Sequence, residues 1–206
     1  MIGEAEEYLK ENYPDDTFTY VSGRSPNWAY QYYELAFSSA EYDNQELTVF
    51  AEPDKNLKND EGLTVYHYCD NYFQYYMKDE AEEYFYNIVK EALTEDIVVK
   101  VNISSGLGFA KAIKKDESFI QNFSSDTINT SIYIFYDERT EVNNENFKTV
   151  LDLLIDKKAY IGVTFLKTKN LDEVSSKKMS ELMGHLSDYY TDREFFTTFD
   201  GVINTY

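Results

Sequence analysis

Apolar and polar side chains alternate along most of the first 70 residues, which is typical of strands that bury one face. A short helix precedes them over residues 4–12, because Ala5, Tyr8 and Leu9 recur at helical spacing and a proline follows. Between the last two strands, residues 53–62 are mostly polar and predict an exposed loop. The predicted strands cover residues 18–20, 33–37, 47–49 and 63–69.

The clearest helical periodicity in the chain predicts one long amphipathic helix over residues 71–93. Its charged face includes Glu82 and Glu83. Asp70 directly precedes the helix, where its carboxylate can act as a cap by accepting hydrogen bonds from free backbone amides. The predicted apolar face consists of Phe73, Met77, Ala81, Tyr84, Ile88 and Ala92.

Strands and helices alternate in the second half of the chain. Residues 97–103 have the pattern of a strand with one buried face. Residues 132–136 and 160–166 are apolar on both faces and therefore predict central strands. Asn170 and Glu173 resemble a capping box at the start of a helix. The remaining predicted elements are helices over residues 147–154 and 171–183 and a last strand over residues 195–199.

These elements predict an α+β fold with one or more largely antiparallel sheets and with helices packed mainly on one face. The first half of the chain is rich in strands, and the second half alternates strand with helix. We predict a single domain over residues 1–206, which could divide into sub-lobes 1–95 and 96–206 at a tight turn near residues 94–96.

The chain is strongly acidic: its 206 residues include 38 acidic and 19 basic side chains, which gives a net charge of −19. Such a charge repels phosphate groups, so it disfavours binding to nucleic acids and to anionic membranes, and it attracts basic proteins. Solubility alone is the alternative explanation. No apolar run approaches the roughly 20 residues that span a bilayer, so we expect membrane association only through an anchor outside this chain.

Chemically reactive groups are sparse, and they predict neither a metal nor a cofactor. His67 and His185 are far apart, and no pair of histidines or cysteines has the spacing of zinc ligands. Cys69 is the only cysteine, and its place at the apolar end of a strand predicts a buried thiol. Residues 104–108 contain two glycines but lack a complete phosphate-binding motif, so they predict a flexible loop, with binding of a small anion as the alternative.

Four polar residues of the predicted loop over 53–62 could bind calcium weakly, although their spacing is not that of an EF-hand. They are Asp54, Asn56, Asp60 and Glu61.

An aromatic cluster follows the predicted loop over residues 22–26. It consists of Trp28, Tyr30, Tyr32 and Tyr33, and it could stack on a sugar or on a partner protein. The structural alternative is that these rings form core contacts and cross-strand pairs. We consider the cluster the best candidate for a contact surface.

Asp70, Asn71 and Tyr72 form a second polar candidate at the corner between a strand and a helix. A helix cap accounts for all three residues without any chemistry, because Asp70 accepts from free amides and Tyr72 anchors the first turn. A polar binding site at a helix N-terminus is the functional alternative.

The segment over residues 65–72, which continues into residues 75–83, resembles a family of uncharacterised exported or membrane-anchored ectodomain proteins of low-GC Gram-positive bacteria. Residues 5–9, residues 13–16 and Phe18 also carry this resemblance. The resemblance implies a small ectodomain behind a signal peptide or anchor, with an extracellular or cell-envelope location and no established activity. If Met1 is instead the native start, we expect a cytoplasmic protein.

The sequence therefore predicts a non-enzymatic, cell-envelope-associated domain that binds a protein or a wall component, without a predicted oligomeric state. One alternative is an acidic cytoplasmic immunity or inhibitor protein that neutralises a basic toxin. Another is a carboxylate-dependent hydrolase, which requires a deep pocket with two or more buried acids. The candidate binding residues are Trp28, Tyr30, Tyr32, Asp70, Asn71 and Tyr72.

Overall fold

The computed structural model describes residues 1–93, 96–105, 113–124, 128–155, 161–199 and 202–205. The chain forms two compact units. The first unit comprises Met1–Tyr76 together with the described part of Leu107–Glu117, and the second comprises the described residues of Met77–Gly106 and Ser118–Tyr206. The predicted sub-lobe boundary at residues 95 and 96 is not where this division falls, and residues 94 and 95 lie outside the described residues.

The first unit is a four-stranded antiparallel meander covered by one helix. The elements in chain order are α1 (Ile2–Asn12), β1 (Phe18–Arg24), β2 (Tyr33–Ser39), β3 (Gln45–Lys58), β4 (Thr64–Asp70) and α2 (Phe73–Tyr76). The strands lie in the order β1-β2-β3-β4. Leu35 and Val49, which pair across the sheet, belong to one buried core cluster with Leu9 of α1, because alternate residues of each strand face the core.

The prediction of an exposed loop over residues 53–62 gave the wrong bounds, because β3 continues to Lys58. Strands β3 and β4 continue as a hairpin to the pair Lys58 and Thr64, with a register irregularity between Pro53 and Lys58. A tight turn closes the hairpin, because the Asn59 side chain accepts hydrogen bonds from backbone amides of the turn and Gly62 adopts a φ of 77°. The local polarity of the segment concealed its pairing as a strand.

The prediction of a single helix over residues 71–93 was also wrong. It is divided into α2 and α3 (Lys78–Val89), with Met77 between them. The buried side of α3 includes Phe85 and Val89, whereas Tyr84 and Ile88, predicted for that side, are only half-buried. The two segments bury their side chains in different units, so one helical phase cannot describe both.

The second unit contains a five-stranded sheet in the order β5-β6-β7-β8-β9. Its central strands β6 and β7 are parallel, and the other neighbouring strands are antiparallel. The α+β class and the largely antiparallel character are thereby confirmed. After α3, the elements are β5 (Ile97–Ser105), α4 (Phe119–Ser124), β6 (Ile128–Asp137), α5 (Asn144–Ile155), β7 (Ile161–Thr168), α6 (Leu171–Ser176), α7 (Met179–Gly184), β8 (Asp192–Phe199) and β9 (Val202–Thr205).

Helices α3, α4 and α5 lie on one face of this second sheet, and the short helices α6 and α7 lie on the other. Phe147 of α5 contacts Phe165 of β7 on the first face. Val174 and Leu182 pack against the opposite face. Asn170 caps α6 as predicted, since its side chain accepts from the Glu173 amide at 3.2 Å. Among the described residues, the helices are too short or too polar to cross a membrane.

Candidate functional site

The six predicted binding residues fall into two groups, one in the β1–β2 loop and the other at the end of β4. Trp28, Tyr30 and Tyr32 lie in or beside the loop that joins the end of β1 to the start of β2. Asp70, at the end of β4, is paired with Val49, whose side chain packs in the core with α1, whereas Tyr32 contacts Phe50 on the opposite face of the sheet. Asn71 and Tyr72 follow it. The structure therefore does not combine these residues into one site.

The loop between β1 and β2 presents Trp28 to solvent on an ordered turn. The Asn27 amide donates to the Tyr30 carbonyl at 2.8 Å, and the Asn27 side-chain oxygen accepts from the amides of Ala29 and Tyr30. Trp28 is 97% exposed and Tyr30 is 53% exposed. The loop occupies residues 25–32, so the prediction of a loop over residues 22–26 was wrong for its first half, where β1 continues to Arg24.

The rings next to Trp28 form a short row that ends on the sheet. Tyr30 lies 5.5 Å from Tyr32, and Tyr32 lies 5.7 Å from Phe50 of β3, between ring centroids. The Tyr33 ring instead contacts Tyr66, because successive side chains of a strand point to opposite faces. Tyr33 therefore does not belong to the exposed cluster. Tyr32 and Tyr33 contact rings on neighbouring strands, as the structural alternative expected. Trp28 is exposed, as a contact surface requires.

On the face of the sheet that packs against α1, Asp70 is the centre of a buried network of tyrosine hydroxyls. Its Oδ2 accepts a hydrogen bond from the Tyr8 hydroxyl at 2.7 Å, and both of its carboxylate oxygens lie 3.1 Å from the Tyr13 hydroxyl. Its Oδ1 accepts from the Tyr72 amide at 2.7 Å, which confirms the predicted acceptance from a backbone amide. Burial raises the pKa of Asp70, although these hydrogen bonds act in the opposite direction.

Asn71 extends the ladder between strands instead of facing solvent. Its side-chain oxygen accepts from the Thr48 amide at 2.7 Å, and its own amide donates to the Thr48 carbonyl at 3.2 Å. These two bonds fasten the corner to β3. Asn71 therefore has a structural role in this position.

Tyr72 joins the corner to a second carboxylate, Asp16, which lies between α1 and β1. The Tyr72 hydroxyl donates to Asp16, and the hydroxyl of buried Ser39 donates to the same oxygen at 2.5 Å. The other oxygen of Asp16 accepts from the amides of Thr17 and Glu41. Burial raises the pKa of Asp16, but the four hydrogen bonds outweigh this effect, so the net direction is downward.

A segment distant in sequence completes the buried network. The Ile113 carbonyl accepts from the Tyr76 hydroxyl at 2.9 Å and lies 3.2 Å from the Tyr13 hydroxyl, and the Ile113 side chain is buried. Two residues further on, Lys115 forms an ion pair with Glu41 at 2.8 Å. Sequence alone does not indicate this network, since no local pattern signals a contact between Tyr13 and a residue 100 positions away.

The remaining candidates have local partners. His67 Nε2 lies 2.9 Å from Asp54 Oδ2, across the β3–β4 hairpin. Asp54 lies in β3 while Asp60 and Glu61 lie in the turn, so the residues considered for weak calcium binding do not share one loop. Within the ranges that the structure describes, no group of three His, Cys, Asp or Glu side chains could hold a metal ion.

Cys69 is buried as predicted, and burial together with the nearby Asp70 and Glu52 raises the pKa of its thiol to about 12. Part of the predicted glycine-containing loop, residues 106–108, lies outside the described residues.

Asp70 and Asp137 are the buried carboxylates among the described residues, and they belong to different units. Asp137 accepts two hydrogen bonds from the Arg139 guanidinium at 2.7 Å each. These bonds lower the pKa of Asp137 to about 2. The pair of acids that the hydrolase hypothesis requires is therefore not found within either unit among these buried residues.

No family model, curated protein or solved structure matches this chain. The resemblance to exported ectodomain proteins consequently stays a prediction. The functional hypothesis therefore depends on the geometry of the β1–β2 loop and of the corner at the end of β4.

Proposed function

We propose that this protein is a non-enzymatic, cell-envelope-associated binding domain that contacts a protein or a wall component through Trp28, Tyr30 and Tyr32. The observation that carries the proposal is the position of Trp28, which is 97% exposed on a turn fixed by hydrogen bonds. Binding hot spots are enriched in tryptophan and tyrosine, and an ordered loop loses little conformational entropy on binding.

The expected contribution of Trp28 is large compared with that of a polar surface residue. Burying about 200 Å² of aromatic surface is worth ~5 kcal/mol before the costs of association. In the free protein this surface faces water, so a partner that covers the ring recovers that free energy. Tyr30 adds a second exposed ring, and Tyr32 of the same loop contacts it and Phe50 of β3.

Asp70, Asn71 and Tyr72 have a different role in this proposal. Their polar groups are bonded to Tyr8, Thr48 and neighbouring groups inside the first unit, so they hold the corner together and do not contact the partner. This interpretation favours the helix-cap hypothesis over the polar-site hypothesis. It also leaves the aromatic loop as the contact surface of the first unit.

The net charge favours a second candidate function, an acidic cytoplasmic inhibitor that neutralises a basic toxin. Residues 1–76, which include the aromatic loop, contain 15 acidic and 4 basic side chains, a net charge of −11. Opposite charge accelerates association with a basic enzyme. The two functions differ in location, and both use the same exposed loop.

A photo-crosslinking experiment in cells tests the proposal. Trp28 is replaced by p-benzoylphenylalanine, and the same replacement at Met183, an exposed apolar position of the second unit, is the matched control. We expect an adduct that forms from position 28 and not from position 183. In parallel, cosedimentation with purified peptidoglycan sacculi compares the wild type with Trp28→Ala. Identical adducts from both positions, combined with unchanged cosedimentation of Trp28→Ala, would contradict the proposal.

A further inference from the structure

We infer that the turn of the β3–β4 hairpin completes the aromatic surface, and that the combined surface binds a basic protein. This inference depends on the proposed function, because it takes Trp28 as a contact residue. The two-loop surface is defined here as Trp28, Tyr30, Leu57 and Leu63.

The two loops lie at the same end of the first sheet. Tyr33, directly after the β1–β2 loop, pairs with Ala51 of β3, and the hairpin extends beyond that point to its turn. A hydrogen bond connects the loops, because Lys55 Nζ donates to Gln31 Oε1 at 3.0 Å. The hairpin and the aromatic loop can therefore contact one partner at the same time.

Exposed apolar side chains are concentrated at this end. Leu57 is 50% exposed and Leu63 is 58% exposed. Of the eight large apolar residues that are exposed within the described ranges, four belong to the two-loop surface. Leu63 is also held in place, since its amide donates to the Asn59 side chain at 2.8 Å. A single exposed apolar residue is ordinary, but a concentration of this kind marks an interaction surface.

The leucines distinguish a protein partner from a glycan. An aliphatic side chain offers neither a ring face on which a sugar can stack nor a hydrogen bond to its hydroxyls, but it fills an apolar pocket of a protein well. Asp60 and Glu61 are exposed in the turn between the two leucines. Inserting this turn into lipid would bring two carboxylates toward the bilayer, which disfavours a membrane as the partner.

The net charge of the first unit indicates which kind of protein partner the surface binds. The net charge of −11 over residues 1–76 repels a second copy of this chain and attracts a basic surface. The hairpin carries Lys55 and Lys58 as well as Asp54, Asp60 and Glu61, so its acidic side chains outnumber its basic ones, and opposite charges on the partner would face Asp60 and Glu61. The expected partner therefore presents an apolar pocket surrounded by lysine or arginine.

The test is a selection of ligands from a random peptide library displayed on phage, with the complete chain as the target. Enriched peptides are synthesised and titrated against the wild type, Trp28→Ala, Leu63→Ser and the control Met183→Ser. We expect enriched peptides with net positive charge and a large apolar residue. Trp28→Ala and Leu63→Ser should each weaken their binding about tenfold, as expected for interface hot spots, and Met183→Ser should leave it unchanged.

Several results would overturn the inference, and they separate it from the proposed function. If Leu63→Ser binds like the wild type while Trp28→Ala is weakened, the hairpin is not part of the surface and the proposed function stands. If neither variant is weakened, both fail. Enrichment of neutral or acidic peptides, or of none, rejects a basic protein as the partner. Binding that depends on Trp28 to soluble peptidoglycan fragments or to phosphatidylglycerol vesicles, without binding to basic peptides, replaces the protein with a glycan or a lipid.

Discussion

The hydroxyl of Tyr8 donates a hydrogen bond to Oδ2 of Asp70 over 2.7 Å, and it thereby joins the first helix to the last residue of β4, 62 positions later in the chain. Asp70 is 7% exposed, so the bond is made where water does not readily replace it. Removing a partner from a buried polar group carries the desolvation penalty of the group left behind.

Replacing Tyr8 by Phe should therefore destabilise the first unit. We expect the free energy of unfolding in urea, followed by circular dichroism, to fall by about 1–3 kcal/mol. Tyr30→Phe is the matched control, because the Tyr30 side chain is 53% exposed, and its stability should remain within about 0.5 kcal/mol of the wild type. Equal stability of both variants would show that the bond contributes nothing.

The pH dependence of stability should report the burial of Asp70. Burial raises its pKa in the folded protein above the unfolded value of ~3.9, so the folded state binds this proton more tightly. Its stabilising contribution is complete below the unfolded pKa and is lost as pH rises through the folded pKa. The stability of the wild type relative to Asp70→Asn should therefore fall as pH increases from about 4.

Asp137 provides a control of opposite sign. Hydrogen bonds from Arg139 lower its pKa to about 2, so its contribution is present above the unfolded pKa and is lost as pH falls through the folded pKa. The stability of the wild type relative to Asp137→Asn should decrease as pH falls from about 4 toward 2. If the relative stability changes with pH in the same direction in the Asp70→Asn and Asp137→Asn comparisons, the assigned directions of the two pKa shifts are contradicted.

Asp16 should be a larger contributor to stability than its exposed neighbour. Its two oxygens accept from two hydroxyls and two backbone amides, so Asp16→Ala leaves four donors without this acceptor. We expect a loss of about 2–4 kcal/mol in the free energy of unfolding. Asp15→Ala removes the same group from an exposed position one residue earlier, and a loss of similar size in that variant would contradict the stabilising role assigned to the hydrogen bonds of Asp16.

The Cys69 thiol should be almost inert in the folded protein. With its pKa raised to about 12, the fraction present as thiolate at pH 8 is roughly a thousand-fold lower than in the unfolded chain. Reaction with a disulfide reagent should therefore be slow in buffer and fast in urea, measured by absorbance of the released thiolate. A fast reaction in buffer would show that β4 opens readily or that the thiol is accessible.

Trp28 is the only tryptophan, so fluorescence excited at a wavelength that tyrosine does not absorb reports the environment of this residue alone. We expect the folded protein to emit at the wavelength of free tryptophan in water and to change little on unfolding, because the ring is already 97% exposed. Trp28→Ala should leave the stability within about 0.5 kcal/mol of the wild type. A blue-shifted emission in the folded state would mean that the ring is buried.

The periodicity of apolar residues was sufficient to predict most strands, because a strand with one buried face has a strictly alternating pattern. The alternation of Ile97, Val99 and Val101 identified β5 in this way. It failed at the β3–β4 hairpin, where the side chains of residues 55–63 are exposed and most of them are polar. It also failed at Met77, where the helical segment is interrupted and the chain passes from the first unit to the second.

The candidate site was predictable only in part, for a related reason. Trp28 was identified by residue type, but sequence could not show that its ring is exposed while that of Tyr33 faces Tyr66. Tyr8 was assigned to the apolar face of a helix, and its ring does pack there, but the destination of its hydroxyl depends on a residue far along the chain. Contacts at this range follow from the fold and have no local signature.

The buried Ile113 belongs to the first unit, yet the chain reaches it only after α3 and β5 of the second unit. During synthesis, the residues of the first core therefore leave the ribosome in two separate segments. The Tyr13 and Tyr76 hydroxyls cannot contact the Ile113 carbonyl until part of the second unit has been synthesised. No single start or stop codon could separate the units. A gene fragment ending after Tyr76 would encode a core with an open side.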